Sequence, residues 1–483
     1  MTRSAPAWMV TLVTAALMSA ALGASSPTTA PTREVSAFER QHAFDLARQS
    51  VQLLEGHRPT EAEAKLREAL EILHGNPTWL YNLACIEMAE GKPDEAMNAL
   101  EQATDAGFTD FHHLQHNFFL TPLRETPRYQ KLLARQDEIC HHAAQLALDE
   151  LRARYGSTYL YEADEKHKLV FAVDADQPTL DALHQLLLEQ MHSQQQTLFS
   201  NPSDEFIRIV VPSARDFRRE VKRIGVEGMY VDDTRTLIAQ RMGQVMIHEF
   251  THALHAADQH AIGQVHPVWL REGLASMYEA GEFAEGTLTP ADNYRLAFVQ
   301  RAAKRNGLIP FEKLLHYTTE QFTMNANLAY GEASSLMLYL YEQGKLRDFY
   351  DTYKADYSKD ESGKIALEKT SGMSLPALQE AWSKWMLARL APSAHPGVGS
   401  LALGLRFVPE NDGLKISLVL PTGPAMAAGL KTGDVIVGVD DRDVRDPASL
   451  MAAVSAHKGG DAVNLKVRRG TAYSSISVKL ANR

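Results

Sequence analysis

Two histidines four residues apart, His248 and His252, with Glu249 between them and apolar neighbours at Val245, Met246, Ile247, Phe250, Ala253 and Leu254, constrain this chain more than any other feature. On an α-helix, residues four apart stand one turn above each other on one face, so both imidazoles can reach a single ion. The apolar neighbours mark the helix as a buried one, and a buried pair of histidines needs partners such as a metal. Glu272 supplies a third donor, twenty residues after His252, where Pro267 and Val268-Trp269-Leu270 open a second helix over Leu270 to Glu279 that can return antiparallel to the first. Two imidazoles and one carboxylate at roughly 2.0–2.2 Å, with a fourth position left for water, form the donor set of a hydrolytic Zn2+ site. Glu249 stands beside that face, placed to take the water's proton as general base.

At these residues the chain resembles the thermolysin-like gluzincins, whose pattern is HExxH, a linker of some twenty residues, and a helix carrying a glutamate ligand. The resemblance covers about 150 to 390 and implies an α+β zinc metallopeptidase domain with Zn2+ on His248, His252 and Glu272 and with Glu249 as catalytic base. One position departs from the family: a turn after the ligand glutamate, where an acidic residue often orients a ligand histidine, this chain has Ser276, and Glu279 is the alternative orienter. Peptide hydrolysis also needs a donor for the developing oxyanion, which the family often takes from a Tyr or His. Tyr330, at the start of Tyr330-Gly331-Glu332-Ala333, is the candidate, with a packing role as its alternative and His255, His260 and His266 as competitors. Upstream, Lys168 to Val173 and Phe206 to Val211 read as strands around a helix from Thr179 to Leu198. Asp233 to Ala239 has strand composition, and the resemblance implies an edge strand able to pair with an extended substrate, with an ordinary sheet edge as its alternative.

The first residues carry the grammar of a secretory signal: Arg3, an apolar stretch from Ala7 to Leu22, and small residues from Gly23 to Ser26. We therefore expect a signal peptide over 1–24, a periplasmic or secreted location, and no stable membrane span once it is cleaved. Two cysteines, Cys85 and Cys140, cannot frame a fold of 483 residues, so a hydrophobic core must hold it. A formal charge of −11 with no basic patch argues against a nucleic-acid partner.

A helical region over 35–148 resembles tetratricopeptide repeats: Ala62 and Ala96 are equivalent at a 34-residue period, and Asp105 to Leu133 reads as an atypical capping unit. His112, His113, His116, His141 and His142 lack a matching ligand constellation and read as surface residues. After the turn-rich Ala391 to Gly397, the segment 398–483 resembles a PDZ domain of the bacterial protease-associated type. The resemblance rests on Leu401 to Phe407, Gly423-Pro424-Ala425 and Gly433 to Val439. It implies that Gly404 exposes amides to a peptide carboxylate, that Leu403, Leu405 and Phe407 line a pocket, and that a helix from Pro447 to Ala456 forms the other wall.

The expected architecture is a multidomain α+β chain of helical repeats, a gluzincin-type peptidase domain over 150–390 and a small β-rich PDZ domain. Two function classes follow: a zinc peptidase acting on exported proteins or peptides recruited by its flanking modules, or a zinc-containing scaffold for peptide or protein partners. The intact Glu249 favours the enzyme, since a scaffold has no use for the base.

Overall fold

Prolines start three of the first four helices: α2 (Pro59–Ile72), α3 (Pro77–Ala89) and α4 (Pro93–Asp105). At N1 the missing N–H is one that no helix would satisfy internally. With α1 (Ala37–Glu55), which begins in a Ser36–Glu39 capping box, they pack as the pairs α1–α2 and α3–α4. Ala62 and Ala96 are both fully buried, as close helix approach at each repeat requires. Helix α5 (Phe111–His116), a 3₁₀ turn at Phe118–Leu123 and α6 (Pro127–Leu133) complete this region. One expectation is corrected here: His113 is buried, with Nδ1 2.6 Å from Oδ2 of Asp110, the N-cap of its own helix. Burial works against its charged form, but the Asp110 carboxylate outweighs it and holds the pKa above the ordinary value. His112, His116, His141 and His142 are exposed.

The computed structural model describes residues 35–221, 226–240, 242–284, 287–389, 403, 405–410, 412–419, 424–455, 457 and 460–480. The expected signal segment and Gly404 lie outside them. The chain divides into two compact units, Met1–Arg271 with Glu282–Thr289 and Gly344–Thr370, and Glu272–Gly281 with Pro290–Gln343 and Ser371–Arg483.

In the first unit, α7 (Gln136–Tyr155) runs straight through the boundary expected at 148–150. Its Ile139 and Cys140 belong to the core of the helical repeats, while Ala143, Ala144, Ala147, Leu148 and Leu151 pack with Val170, Ala172, Val210 and Ile238 of a five-stranded sheet. That sheet has the order β1 (Leu160–Asp164), β2 (Leu169–Val173), β3 (Ile207–Val211), β5 (Thr236–Ala239), β4 (Gly228–Val231). β2, β3 and β5 run parallel, and the all-apolar, fully buried Leu-Val-Phe-Ala-Val of β2 is the sequence of a strand covered on both faces. α8 (Gln177–Thr197) and α9 (Ala214–Glu220) follow β2 and β3. The expected edge strand is corrected: β5 lies inside the sheet, parallel to β3 and antiparallel to β4, and β4 is the edge. A 3₁₀ turn at Asp232–Thr234 and a left-handed Arg235 (φ 46°) consume the first half of the segment read as strand and fold β5 back beneath β4.

α10 (Gln244–Ile262) starts at Gly243 and stops at Gly263, whose left-handed backbone caps it. α11 (Val268–Tyr278) follows, then the hairpin β6 (Glu282–Ala284) and β7 (Thr287–Thr289). The boundary between the units falls within α11. The second unit continues with α12 (Leu296–Ala303), α13 (Phe311–Leu314), α14 (Thr319–Met324) and α15 (Ala326–Glu342). α16 (Leu346–Asp356) and α17 (Lys364–Ser371) precede α18 (Leu375–Leu387), which packs against α12, α13 and α15.

The C-terminal sheet has the order β13 (Ala472–Lys479), β12 (Ala462–Arg469), β10 (Val435–Val439), β9 (Gly413–Val419), β8 (Leu405–Glu410), with β11 (Arg442–Asp443) on β10. A helix spans Pro447–Ser455. Its core gathers Leu403, Leu405, Leu414, Ile436, Leu450, Val463 and Leu465. Among the described residues no helix is long and apolar enough to cross a membrane.

Candidate metal centre

α10 is held from several sides before any ligand is considered. Met246, Ile247, Phe250, Ala253 and Leu254 are buried along it. Across it, α8 contributes Gln190 and Gln194, both fully buried, whose side-chain amides donate to Thr251 Oγ1 at 3.1 and 2.9 Å; Gln190 also donates to the Ile247 carbonyl at 2.8 Å. On the sheet side β4 meets the helix at Gly228. A Cβ there would lie 2.8 Å from Val245 Cγ2 and 3.1 Å from Glu249 Cγ, so only glycine lets the edge strand pass this close to Glu249. Further along, the fully buried Asp258 accepts from the Ser200 and Asn201 amides, from Tyr350 Oη at 2.8 Å and from Lys354 Nζ at 3.3 Å. The turn that carries His248 and His252 thus has little freedom to rotate.

His248 and His252 project from this turn with their Nε2 atoms 3.2 Å apart. Two nitrogens bound to one tetrahedral zinc at about 2.05 Å lie about 3.3 Å from each other, so the pair has the spacing that a shared ion needs. The Glu272 carboxylate completes the group: one ligand atom from each of His248, His252 and Glu272 lies within 4.8 Å of the others, and all three residues are partly exposed. Two neutral imidazoles and a carboxylate suit zinc by donor type and number. Glu249, on the same turn, is 8% exposed, and its side chain is therefore withdrawn from bulk water beside the group.

The remaining residues singled out from the sequence distribute themselves clearly. Ser276 is fully buried, and its Oγ has no hydrogen-bond partner among the described residues. Glu279 pairs with Arg295. Tyr330 lies on the second turn of α15 rather than at its start, since the helix begins four residues earlier at Ala326. Its ring packs edge-on against Phe322 at 4.9 Å and beneath the Arg295 guanidinium at 5.4 Å. The competing histidines are engaged elsewhere. His260 Nε2 is 3.0 Å from Asp232 Oδ2; burial pushes that carboxyl up, but the imidazole together with Arg271 and Tyr230 holds it below its ordinary value. His255 and His266 are both buried and bonded to each other at 2.8 Å, and burial pushes both pKa values well down.

Sequence reasoning missed Arg295, the N-cap residue of α12. Burial pushes its guanidinium down to about 10, while the charges of Tyr330 and Glu272 pull it back up. A cation at a helix N-terminus opposes the helix dipole, and that misplacement was the available signal. In the C-terminal domain Leu403 and Leu405 are fully buried in the core, Phe407 is packed against it, and β8 is the edge strand, pairing with β9 among the described residues. Both cysteines are buried free thiols.

Known proteins divide the chain along the same lines. The Peptidase MA superfamily profile matches residues 219–388, the PDZ domain profile 402–480, and the tetratricopeptide repeat profile 53–115. Among curated proteins, the serine protease Do-like HtrA of Lactobacillus helveticus is 34% identical over 106 residues, 20% of this chain and 26% of that protein. The putative serine protease HhoA of Synechocystis is 39% identical over 75 residues, 16% of this chain and 19% of its own length. The chain thus spans about a quarter or less of the length of these relatives. Among solved structures, an aminopeptidase N family protein from Idiomarina loihiensis covers 68% of this chain and 67% of its own at 13% identity and a TM-score of 0.27, too low to add to what the profiles show. The polypeptide accordingly carries tetratricopeptide repeats, a Peptidase MA superfamily domain and a PDZ domain, in that order.

Proposed function

We propose that this chain is a zinc-dependent peptidase of the exported compartment, in which His248, His252 and Glu272 hold the metal and Glu249 is the general base. The observation that carries this reading is the donor group itself: two imidazole nitrogens 3.2 Å apart with a carboxylate in reach, on the same helix turn as a sheltered glutamate, inside a Peptidase MA superfamily domain. When bound, zinc would supply a Lewis acid that polarises a peptide carbonyl and acidifies water. The protein's own part begins with Glu249, whose carboxylate accepts the proton of the attacking water and returns it to the leaving amine nitrogen. Tyr330 is the donor assigned to the developing oxyanion, its hydroxyl giving a hydrogen bond that strengthens as charge builds on that oxygen. The β4 edge, which runs so close to Glu249 at Gly228 that a Cβ would be crowded there, offers backbone groups to an extended substrate, which would lie antiparallel or parallel to it as an added strand. The repeats and the PDZ domain are proposed to recruit peptide or protein substrates, with Leu403, Gly404 and Leu405 at the carboxylate-binding end of the PDZ groove.

The test is cleavage of a peptide library by the purified protein, with zinc content measured in parallel and His252→Ala as control. Library cleavage that disappears together with the metal in His252→Ala supports the peptidase. Stoichiometric zinc without cleavage of any library member would favour the scaffold reading. Stoichiometric zinc in His252→Ala would remove the assigned ligand set.

A further inference from the structure

Arg295 sits where local helix chemistry does not call for it. The N-cap of a helix favours Ser, Thr, Asp or Asn and the first turn favours acids, because unpaired amides and the positive end of the dipole point there. Here a guanidinium occupies that position on α12, largely buried, and makes no cap bond with its side chain. Its surroundings are acidic and aromatic instead. The guanidinium pairs with Glu279, lies 4.7 Å from the centre of the Tyr294 ring and 5.4 Å from that of Tyr330, and feels the charge of Glu272. Thus one cation is shared between the helix that carries the third metal donor and the helix that carries the proposed oxyanion donor.

The backbone brings these helices together at two glycines, each following a functional residue. Gly273 follows Glu272, and a Cβ there would stand 3.1 Å from the Ala333 carbonyl oxygen and 3.2 Å from the Ala333 Cβ, so α11 and α15 touch backbone to backbone. Gly331 follows Tyr330, and a Cβ there would come 2.6 Å from Val299 Cγ2, 3.2 Å from Arg295 Cβ and 3.3 Å from the Arg295 carbonyl. Asn293 fixes the third side: its amide donates to the Ser276 carbonyl on α11 at 3.0 Å, and its Oδ1 accepts from the Arg295 backbone N–H at 2.9 Å. Arg295 is therefore held against α11 and α15 by main-chain contacts that do not depend on its own charge.

We propose that Arg295 is a positioning residue that sets the Glu272 carboxylate and the Tyr330 side chain in register through one guanidinium anchored by Glu279. The position a turn after Glu272, where an acidic residue would orient a ligand histidine, holds the buried Ser276, so Arg295 acts on the carboxylate donor and not on a histidine. A carboxylate on a helix has several rotamers, and a guanidinium whose charge reaches it biases the choice among them. The flat face over Tyr330 limits the swing of the ring in the same way. The guanidinium need not touch substrate to do this.

The inference rests on the peptidase reading, so wild-type zinc content and cleavage are measured first; a wild-type protein that binds no zinc overturns both. Arg295→Met keeps the length of the side chain and removes its charge and fork. We expect zinc affinity, read by competition with a chromophoric chelator, to fall by roughly 10- to 100-fold, the range for removing a partner that orients a metal ligand. On the zinc-saturated variant we expect kcat to fall with KM little changed, and we expect Arg295→Lys to recover part of both losses. A packing role alone would leave the metal affinity of the folded variant untouched. The double variant Arg295→Met/Tyr330→Phe separates the second half of the claim: if Arg295 acts through Tyr330, the two kcat losses combine to less than their product. Unchanged zinc affinity and kcat in Arg295→Met, or losses that multiply independently, overturn the assignment. Should Arg295→Met fail to fold, Arg295→Lys carries the same test in reduced size, and wild-type values for it in both readouts overturn the proposal.

Discussion

Acid should unfasten α10 just beyond its ligand turn, and the cause is the histidine pair buried there. His255 and His266 are each 1% exposed, with His255 stacked on Phe199 at 5.2 Å and edge-on to Tyr350 at 5.7 Å. The hydrogen-bond network sets their tautomers. Gln264 donates its amide N–H to the Lys354 carbonyl at 2.9 Å, which leaves its Oε1 to accept from His266 Nε2–H at 3.1 Å. His266 Nδ1 is then the acceptor for His255 Nε2–H at 2.8 Å, and His255 Nδ1 is a bare lone pair without a partner among the described residues. A proton added to His266 Nδ1 would face an N–H, and one added to His255 Nδ1 would bury a charge. Both rings therefore stay neutral in the folded state, with burial pushing their pKa values well below 6.5. The unfolded chain takes up these protons from about pH 6.5 downward while the folded chain does not, so stability is present above that pH and is lost as pH falls through the window below it. For two such groups, lowering the pH from 6.5 to 5.5 removes about 2 kcal/mol, since each loses about 1 kcal/mol over that unit. Hydrogen exchange of the α10 amides in chelator-treated protein, compared between pH 5.5 and 7.5, reads the local opening free energy, and chelation keeps pH-dependent metal affinity out of the comparison. In His255→Phe, which preserves the stack on Phe199 and removes one titrating ring, the acid slope should drop by about half. An α10 opening energy that is flat over this range, or an unchanged slope in His255→Phe, would refute the buried neutral pair.

Three further outcomes follow from other residues. Glu332 is fully buried with one carboxyl oxygen accepting from the Ile309 amide at 2.9 Å and the other unpartnered among the described residues, and burial raises its pKa to about 8. The folded carboxyl holds its proton at neutral pH while the unfolded one releases it above about 4.5, so stability falls as pH rises between those values; Glu332→Gln should gain on wild type by about 1–3 kcal/mol at pH 7 in thermal unfolding and by almost nothing at pH 4.5. Asp258→Ala strips five hydrogen-bond donors of a buried acceptor and should destabilise the first unit by about 3–5 kcal/mol, seen as early loss of α10 exchange protection. Deleting residues 398–483 should lower kcat/KM for long substrates with exposed C-termini while sparing a short peptide, because only a long chain spans both sites; a proportional loss for both would make the PDZ domain a structural prop.

The legible parts of this chain were those in which chemistry repeats at a fixed period. The His248–His252 spacing, the apolar faces around it and the 34-residue alanine repeat reflect helix geometry, and the corresponding elements stand where periodicity puts them. The order of strands is a different matter. β5 lies inside the sheet because β4 pairs along its outer side, and four residues of ordinary composition carry no signal that says edge or interior. His113 read as a surface residue because its partner Asp110 is a helix cap, a role that sequence assigns without revealing that the cap also neutralises a buried ring. Arg295 carried one local signal, a cation at a helix N-terminus, but its partners Glu279 and Tyr330 are distant in sequence and no spacing rule reaches them. Close approach at Gly273 and Gly331 was written in the sequence only as two glycines inside helical patterns, which a linear reading counts as a small local cost.

The account stands most directly on one variant. Glu249→Gln leaves His248, His252 and Glu272 in place and removes the base, so the purified variant should hold one zinc per chain and cleave peptides at least about 10²-fold more slowly than wild type, the lower range for loss of a general base. Wild-type turnover in zinc-loaded Glu249→Gln would contradict the central claim, because the proton would then have to travel by a group other than the glutamate beside the metal ligands.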